Sequence, residues 1–361
     1  MRVGLHVGQL LQPVPGGIGT LTATLWSGLP GHVELVPFAA GSRRAHRQLA
    51  DGTGRATPLV PVAPGWRRGH YELWHRARRP RVDLDLDVCH APSLAVPPGS
   101  APLVVTVNDL AFRRYPEFFT RHGVRFHERG LELARAEAAM VIAPSTHTAT
   151  ELAAAGFDIE RIRRIPIGVS EPPAMEPSDV ARRLLQLGIQ GQYVLAVGTI
   201  EPRKGHRVLA KAYTILRRSH PHVSLVIAGP RGWQAQGIVA ELSRPGIKLL
   251  GRVPSADLDA LYRAAAVVAT LPVYEGFGLP LLEALARGRA VVASDIPSHR
   301  EIAGPGARLV AVADAQGVAE ACAELLDCEA ARGELAVAAL AAARRHTVAA
   351  MIGAYQDAVA H

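Results

Sequence analysis

Two glutamates, Glu275 and Glu283, stand eight residues apart in the segment LPVYEGFGLPLLEALARG. The apolar run Ala266–Leu271 ends at Pro272, a glycine-bearing loop follows, and a helix is expected to begin near Leu279 or Pro280. Proline in a first helical turn and glycines before it leave backbone N–H groups facing a ligand. Two carboxylates flanking such a junction can each accept hydrogen bonds from a hydroxyl-rich molecule. A second segment, VGTIEPRKG, follows the run Tyr193–Val197 and places Gly198 at a strand end, with Arg203 and Lys204 ahead of a helix from His206. Paired cations there neutralise a diphosphate and stabilise it as a leaving group. A third, GRVP at 251–254, offers turn backbone around Val253 to a flat base, while Ser255 or Asp257 is expected to cap the next helix.

These segments need a scaffold, and the chain supplies one by alternation. Short runs rich in Val, Ile and Leu (Met1–Val7, Leu103–Val107, Met140–Ala143, Tyr193–Val197, Ser224–Ala228, Ile247–Leu250, Ala266–Leu271, Ala290–Ala293) alternate with helical patterns such as His122–Ala138, His206–Arg218 and Leu258–Ala264. Continuous apolar strands between helices imply βαβ units and parallel sheets. The pattern occurs once before about residue 168 and again after about 192, with the proline-rich GVSEPPAME between. An α/β protein of two Rossmann-like, doubly wound domains facing each other across a cleft is therefore expected. Its parts would be 1–168, 169–346 and a terminal helix over 347–361.

Composition narrows the classes. At 361 residues, with 48% hydrophobic and 20% charged residues, the chain is globular and long enough for two cores. Its three cysteines, Cys89, Cys322 and Cys328, make neither a disulfide framework nor a metal-binding spacing. MRVGLHVG has no signal-peptide character, and no apolar run reaches the ~18 to 20 residues of a membrane span, so a cytoplasmic protein is expected. The formal net charge is +8, and residues 43–81 hold ten arginines against Asp51 and Glu72. Trp66, Tyr71 and Trp74 lie among them. Arginine with aromatic neighbours suits peripheral contact with an anionic membrane at the inner face, for which Arg67, Arg68, Arg78 and Arg79 are candidates, or a phosphate-bearing acceptor. No nucleic-acid motif accompanies it.

EGFGLPLLE resembles the Glu-x7-Glu motif of retaining GT-B glycosyltransferases of family 4. The likeness extends in order through GGIG, TVNDLAF, APSTHTATEL, VGTIEPRKG, IAGPRGW, GRVP and ASDIPSHREIAG. The resemblance implies a nucleotide sugar held by the carboxy-terminal domain. Arg203 and Lys204 then contact its diphosphate, Glu275 and the backbone of Phe277, Gly278 and Leu279 the sugar hydroxyls, and Glu283 the ribose hydroxyls. The Gly16-Gly17-Ile18-Gly19 segment matches an amino-terminal loop that closes on phosphates and acceptor. Asn108 replaces a histidine found in many relatives, so it can hydrogen-bond a hydroxyl but carries no proton.

The implied reaction moves a hexose, with GDP-mannose the first donor and a UDP-sugar the second, to a glycan, lipid-linked or small-molecule acceptor. It proceeds with retention by same-face attack, without metal and without a cofactor beyond the substrate. A metal-dependent rival rests on Asp83, Asp85 and Asp87, a DxD-like run, and His90 is an open candidate for the cleft. An epimerase or phosphorylase of the same architecture, and a non-catalytic nucleotide-sugar or anionic-surface binder, remain alternative classes.

Overall fold

The computed structural model describes residues 1–29, 31, 33–40, 60–61 and 67–360. It divides into two units, Met1–Ile167 with Val348–His361, and Gly168–Thr347. The first holds a seven-stranded parallel sheet of β1 (Arg2–His6), β2 (Glu34–Ala39), β3 (Val60–Pro61), β4 (Val88–Ala91), β5 (Leu103–Thr106), β6 (Ala138–Ala143) and β7 (Ile162–Arg164), in the order β3-β2-β1-β4-β5-β6-β7. The second holds six parallel strands, β8 (Tyr193–Val197), β9 (Ser224–Ala228), β10 (Ile247–Gly251), β11 (Val267–Thr270), β12 (Val291–Ser294) and β13 (Arg308–Val310), in the order β10-β9-β8-β11-β12-β13. This is the doubly wound GT-B class, with two Rossmann-like domains. Strand order reverses between β1 and β4 and again between β8 and β11, so each sheet has a switch point where ligands bind at strand carboxyl ends.

Helices cover both sheets, which explains why the central strands read as unbroken apolar runs. Val194, Leu195, Val267, Val268, Val291 and Val292 are all essentially inaccessible. Of these, Val194, Val267 and Val292 pack against Leu209, Tyr213, Leu225, Leu325 and their neighbours in one core. The first unit's core gathers Trp74, Phe112, Leu131 and Val141. Helices Arg121–Glu137 and Thr146–Ala154 start where Thr120 and Ser145 accept from the N–H groups of Gly123 and Thr148, each at 3.0 Å. The terminal helix Val348–Ala360 belongs to the first unit and buries Met351, Ile352 and Tyr355. Gly28, in helix Gly16–Gly28, makes room for it, because a Cβ there would stand 2.7 Å from Ile352.

Three local expectations are corrected. GGIG is not a loop: Gly17 lies in the first turn of helix Gly16–Gly28. Neither Ser255 nor Asp257 caps helix Ser255–Ala264, since Pro254 holds the cap position and Asp257 pairs with Arg183 at 2.5 Å. Strands β2, β7 and β13 were not read from the sequence; β2 contains Pro37, and the other two are three residues long with arginines, so none forms a plain apolar run. Among the described residues no helix is long and apolar enough to cross a membrane.

Candidate active site

The loops after β8 and β11 flank the second switch point and press directly on each other. Gly205, between turn Pro202–Lys204 and helix His206–Leu216, has φ 71°, and a Cβ there would lie 1.8 Å from the carbonyl oxygen of Leu271. Only glycine permits this approach. The backbone N–H of Val273 donates to the Arg203 carbonyl at 2.9 Å, and Arg203 Nη1 donates to the Tyr274 carbonyl at 3.3 Å. Arg203 Nε also pairs with buried Glu201 at 2.9 Å. These contacts carry Lys204 Nζ onto Glu275 Oε1.

Glu275 is only 6% exposed. Burial alone would raise its pKa, but Lys204, Arg203 and His299 outweigh it and hold the carboxyl below its ordinary value, as an anion. Lys204, Thr270, Pro272, Glu275 and Pro280 line a small cavity together with His206, whose imidazole is pushed down to about 4 by burial and then by Lys204. Gly278, at φ 128°, lets the chain turn into helix Leu279–Leu285 and leaves space for the ring of His299. His299 Nδ1 donates to the Ser294 carbonyl at 3.0 Å, so in the neutral ring Nε2 is the acceptor. Phe277 is buried and meets His346 edge-on at 5.8 Å.

Glu283 lies about one turn into that helix and answers to other partners. The Tyr262 hydroxyl donates to Glu283 Oε2 at 2.9 Å. Burial raises the carboxyl's pKa, and Tyr262 and Arg287 pull it back. Arg287 lies over the Tyr262 ring at 4.9 Å, donates to the Glu283 carbonyl, and is held at Nε by Asp259. Val253, half-buried, follows β10 on the same side of the sheet as Gly198, the residue after β8.

The remaining candidates lie in the first unit. Asn108 follows β5 and donates from Nδ2 to the Pro92 carbonyl at 2.9 Å. His90, at the centre of β4, shares a hydrogen bond with Thr106 at 2.8 Å and stacks near Tyr355. Asp83, Asp85 and Asp87 precede β4, at the end of the sheet opposite the strand carboxyl ends. Asp83 pairs with Arg81, Asp85 with Arg2, and Asp87 accepts from the Arg2 backbone N–H. Leu84 and Leu86 between them pack against the first unit's core. Among the described residues no three ionisable ligands gather as a metal site. Of the arginine-rich stretch, 41–59 and 62–66 lie outside the described residues. In the described part Trp74 is fully buried, Tyr71 packs on His6 and Trp74, and Arg78 bonds the Trp74 and Val96 carbonyls and Glu137. Trp74 is core, and Tyr71 is half-buried against it.

The family model described as Glycosyl transferases group 1 matches residues 185–345, and that described as Glycosyltransferase Family 4 matches residues 15–171. The chain belongs to this glycosyltransferase family. It is 32% identical over 226 residues to O-antigen chain mannosyltransferase B of Escherichia coli, covering 60% of this chain and 59% of the relative. It is 32% identical over 225 residues to the D-inositol 3-phosphate glycosyltransferase of Acidothermus cellulolyticus, covering 57% and 50%. These alignments span between half and three fifths of the relatives' lengths. The crystal structure of Anabaena HepE in complex with UDP and glucose shares the fold, with a TM-score of 0.79 at 20% identity over 100% of this chain and 99% of that one.

Within this glycosyltransferase the arrangement offers an acceptor anion (Glu275), a cation bound to it (Lys204), a second cation beside them (Arg203) and a separate acceptor (Glu283). Sequence reasoning found these four but missed Glu201, His206, His299, Tyr262 and Arg287. His206 directly follows the recognised PRKG turn, and its position beside Lys204 was the available signal. His299 lies inside a recognised segment, ASDIPSHREIAG, without any spacing that marks its role. Tyr262 and Arg287 carry no local signal at all.

Proposed function

We propose that this protein transfers a hexose from a nucleoside-diphosphate sugar to a hydroxyl acceptor with retention of anomeric configuration, without a metal or other cofactor. The observation that carries this reading is the buried Lys204–Glu275 pair beside Arg203, at the switch point of the second sheet. The diphosphate lies toward Lys204 and Arg203, which neutralise the charge that builds on it as the bond to the anomeric carbon breaks. Lys204 would then exchange part of its contact with Glu275 for phosphate oxygen. Glu275 accepts from hydroxyls of the transferred sugar, and Glu283 from the ribose. The acceptor oxygen attacks the face the diphosphate leaves, its proton passes to the departing phosphate oxygen, and one glycosidic bond replaces the phosphoester bond.

Mannose from GDP-mannose is the first donor reading, supported by the likeness to an O-antigen chain mannosyltransferase. A UDP-sugar is the second, supported by the shared fold of a UDP-bound structure. The acceptor is a glycan, a lipid-linked or a small hydroxyl compound, met in the cytoplasm or at the inner membrane face. Calorimetry with a panel of nucleotide sugars, in EDTA and then with Mn²⁺, tests the whole reading. Binding of GDP-mannose alone in EDTA, with an α-linked product by NMR, is the expected result. Selective UDP-sugar binding moves the donor to the second reading. Binding only with metal, or an inverted product, overturns the mechanism, and binding of no donor overturns the function.

A further inference from the structure

Glu283 is half-buried on the second turn of helix Leu279–Leu285, and a carboxylate there is useful to a ligand only if it stays charged and points one way. Its own helix supplies no side chain that does this. Tyr262, 21 residues earlier on helix Ser255–Ala264, does: it is completely inaccessible and its hydroxyl reaches Glu283 Oε2 at 2.9 Å. The Pro280 carbonyl, at 3.4 Å, is a much weaker alternative acceptor for the same proton. The phenol is fixed in turn. Arg287 covers the ring at 4.9 Å, and its Nε is held by Asp259 at 2.7 Å. Asp259 is itself buried and takes a second arginine, Arg263, at 2.6 Å. Arg287 also donates to the backbone carbonyl of Glu283 at 2.8 Å, so the chain of contacts closes on the residue it serves.

We infer that Tyr262, steadied by Arg287 and Asp259, is a positioning residue that fixes Glu283 for the two ribose hydroxyls of the nucleoside diphosphate. The inference rests on the reading of Glu283 as the ribose acceptor. Tyr262 engages Oε2, Oε1 is assigned to the ligand, and the donated proton stabilises the charged form that burial opposes. Tyr262 and Arg287 are the titratable groups that face Glu283. The grip acts equally on bound substrate and transition state, so its loss raises donor KM and leaves kcat alone.

The test compares binding of UDP and GDP with their 2′,3′-dideoxyribose counterparts, by calorimetry, in the wild-type chain and in Tyr262→Phe. The wild type is expected to prefer the ribose form of whichever nucleotide it binds. In Tyr262→Phe that preference falls about tenfold, the size of one hydrogen bond to a charged group, while dideoxy binding is unchanged. Donor KM rises by a similar factor, and kcat stays within about twofold. A wild type without ribose preference overturns both the Glu283 assignment and the role of Tyr262. Preference that survives intact in Tyr262→Phe overturns the role of Tyr262 alone. As a check that is independent of deletion, a ring-fluorinated tyrosine at 262 keeps the volume and donates more strongly. It should lower the pH at which ribose preference is lost, and an unmoved midpoint also overturns the inference.

Discussion

The two units share a strand order and differ in what they bury. Among the described residues, the first unit buries the histidines His6, His75 and His90 and no carboxylate. The second unit buries Glu201, Asp259 and Glu275, each against arginine or lysine. The same scaffold therefore presents two electrical environments. In the first, burial keeps imidazoles neutral, with His6 and His75 pushed down to about 4 and His90 to about 3. In the second, opposed charges are held together, two of the three pairs in the loops after β8 and β11. A doubly wound sheet fixes where a ligand binds, and the charges at the loop ends decide what kind.

The sharpest way to break this comparison is at Glu275. Glu275→Ala leaves Lys204 without its buried partner and removes the carboxylate proposed to accept from the sugar hydroxyls. Transfer should fall by about 10³-fold with the fold retained, measured by single-turnover assay beside circular dichroism. Arg203→Ala with Lys204→Ala should lose at least as much. Near-normal turnover in either would mean that the charged environment of the second unit is structural only.

Acid is the next lever, and its sign follows from the histidines. In the unfolded chain they take a proton below about 6.5, whereas His6, His75 and His90 in the folded unit do so only near 4 or 3. The unfolded state thus binds more protons throughout that window. The stability is whole above about pH 6.5 and falls as the pH drops, by on the order of 3 kcal/mol for His6 and for His75 and about 5 kcal/mol for His90 once the pH is below their folded values. His206 and the lowered His299 act likewise in the second unit, where the depressed pKa of Glu275 adds a loss only below the ordinary carboxylate range. Hydrogen exchange followed from pH 7 to pH 4.5 should show the first unit opening earlier. Simultaneous opening would erase the contrast.

Smaller effects sharpen it. Asn108→Ala removes the hydrogen bond to Pro92 and should cost about 1 kcal/mol in a urea titration. Asp85→Ala breaks only an exposed pair with Arg2, so stability should move by less than about 0.5 kcal/mol. Transfer should be unchanged in EDTA, and a strong, metal-dependent loss would revive the rival site.

What could be read from the sequence followed the range of the interaction. Arg203, Lys204, Glu275 and Glu283 were legible because each stands beside a strand end and a glycine turn, within a few residues of the features that place it. The central strands were legible because helices on both faces make them uniformly apolar. Tyr262 and Asp259 were not, since their partners lie 21 and 28 residues away and are chosen by packing between helices. Trp74 and Tyr71 misled for the complementary reason. Beside so many arginines they read as a surface motif, but their rings complete the first core against His6. The three aspartates of 83–87 show the same limit, because Arg81 and Arg2 engage them before β4 and they do not converge with one another.

The return of helix Val348–Ala360 to the first unit sets the order in which a nascent chain can mature. The flank of the first sheet that receives Met351, Ile352 and Tyr355, including Leu21 and Leu25, stays uncovered until Gly168–Thr347 has been translated. At an elongation rate of ~5 to 20 residues per second that delay is on the order of ten seconds or more. The later-made unit can finish folding while the earlier one still lacks the helix that covers its apolar seam.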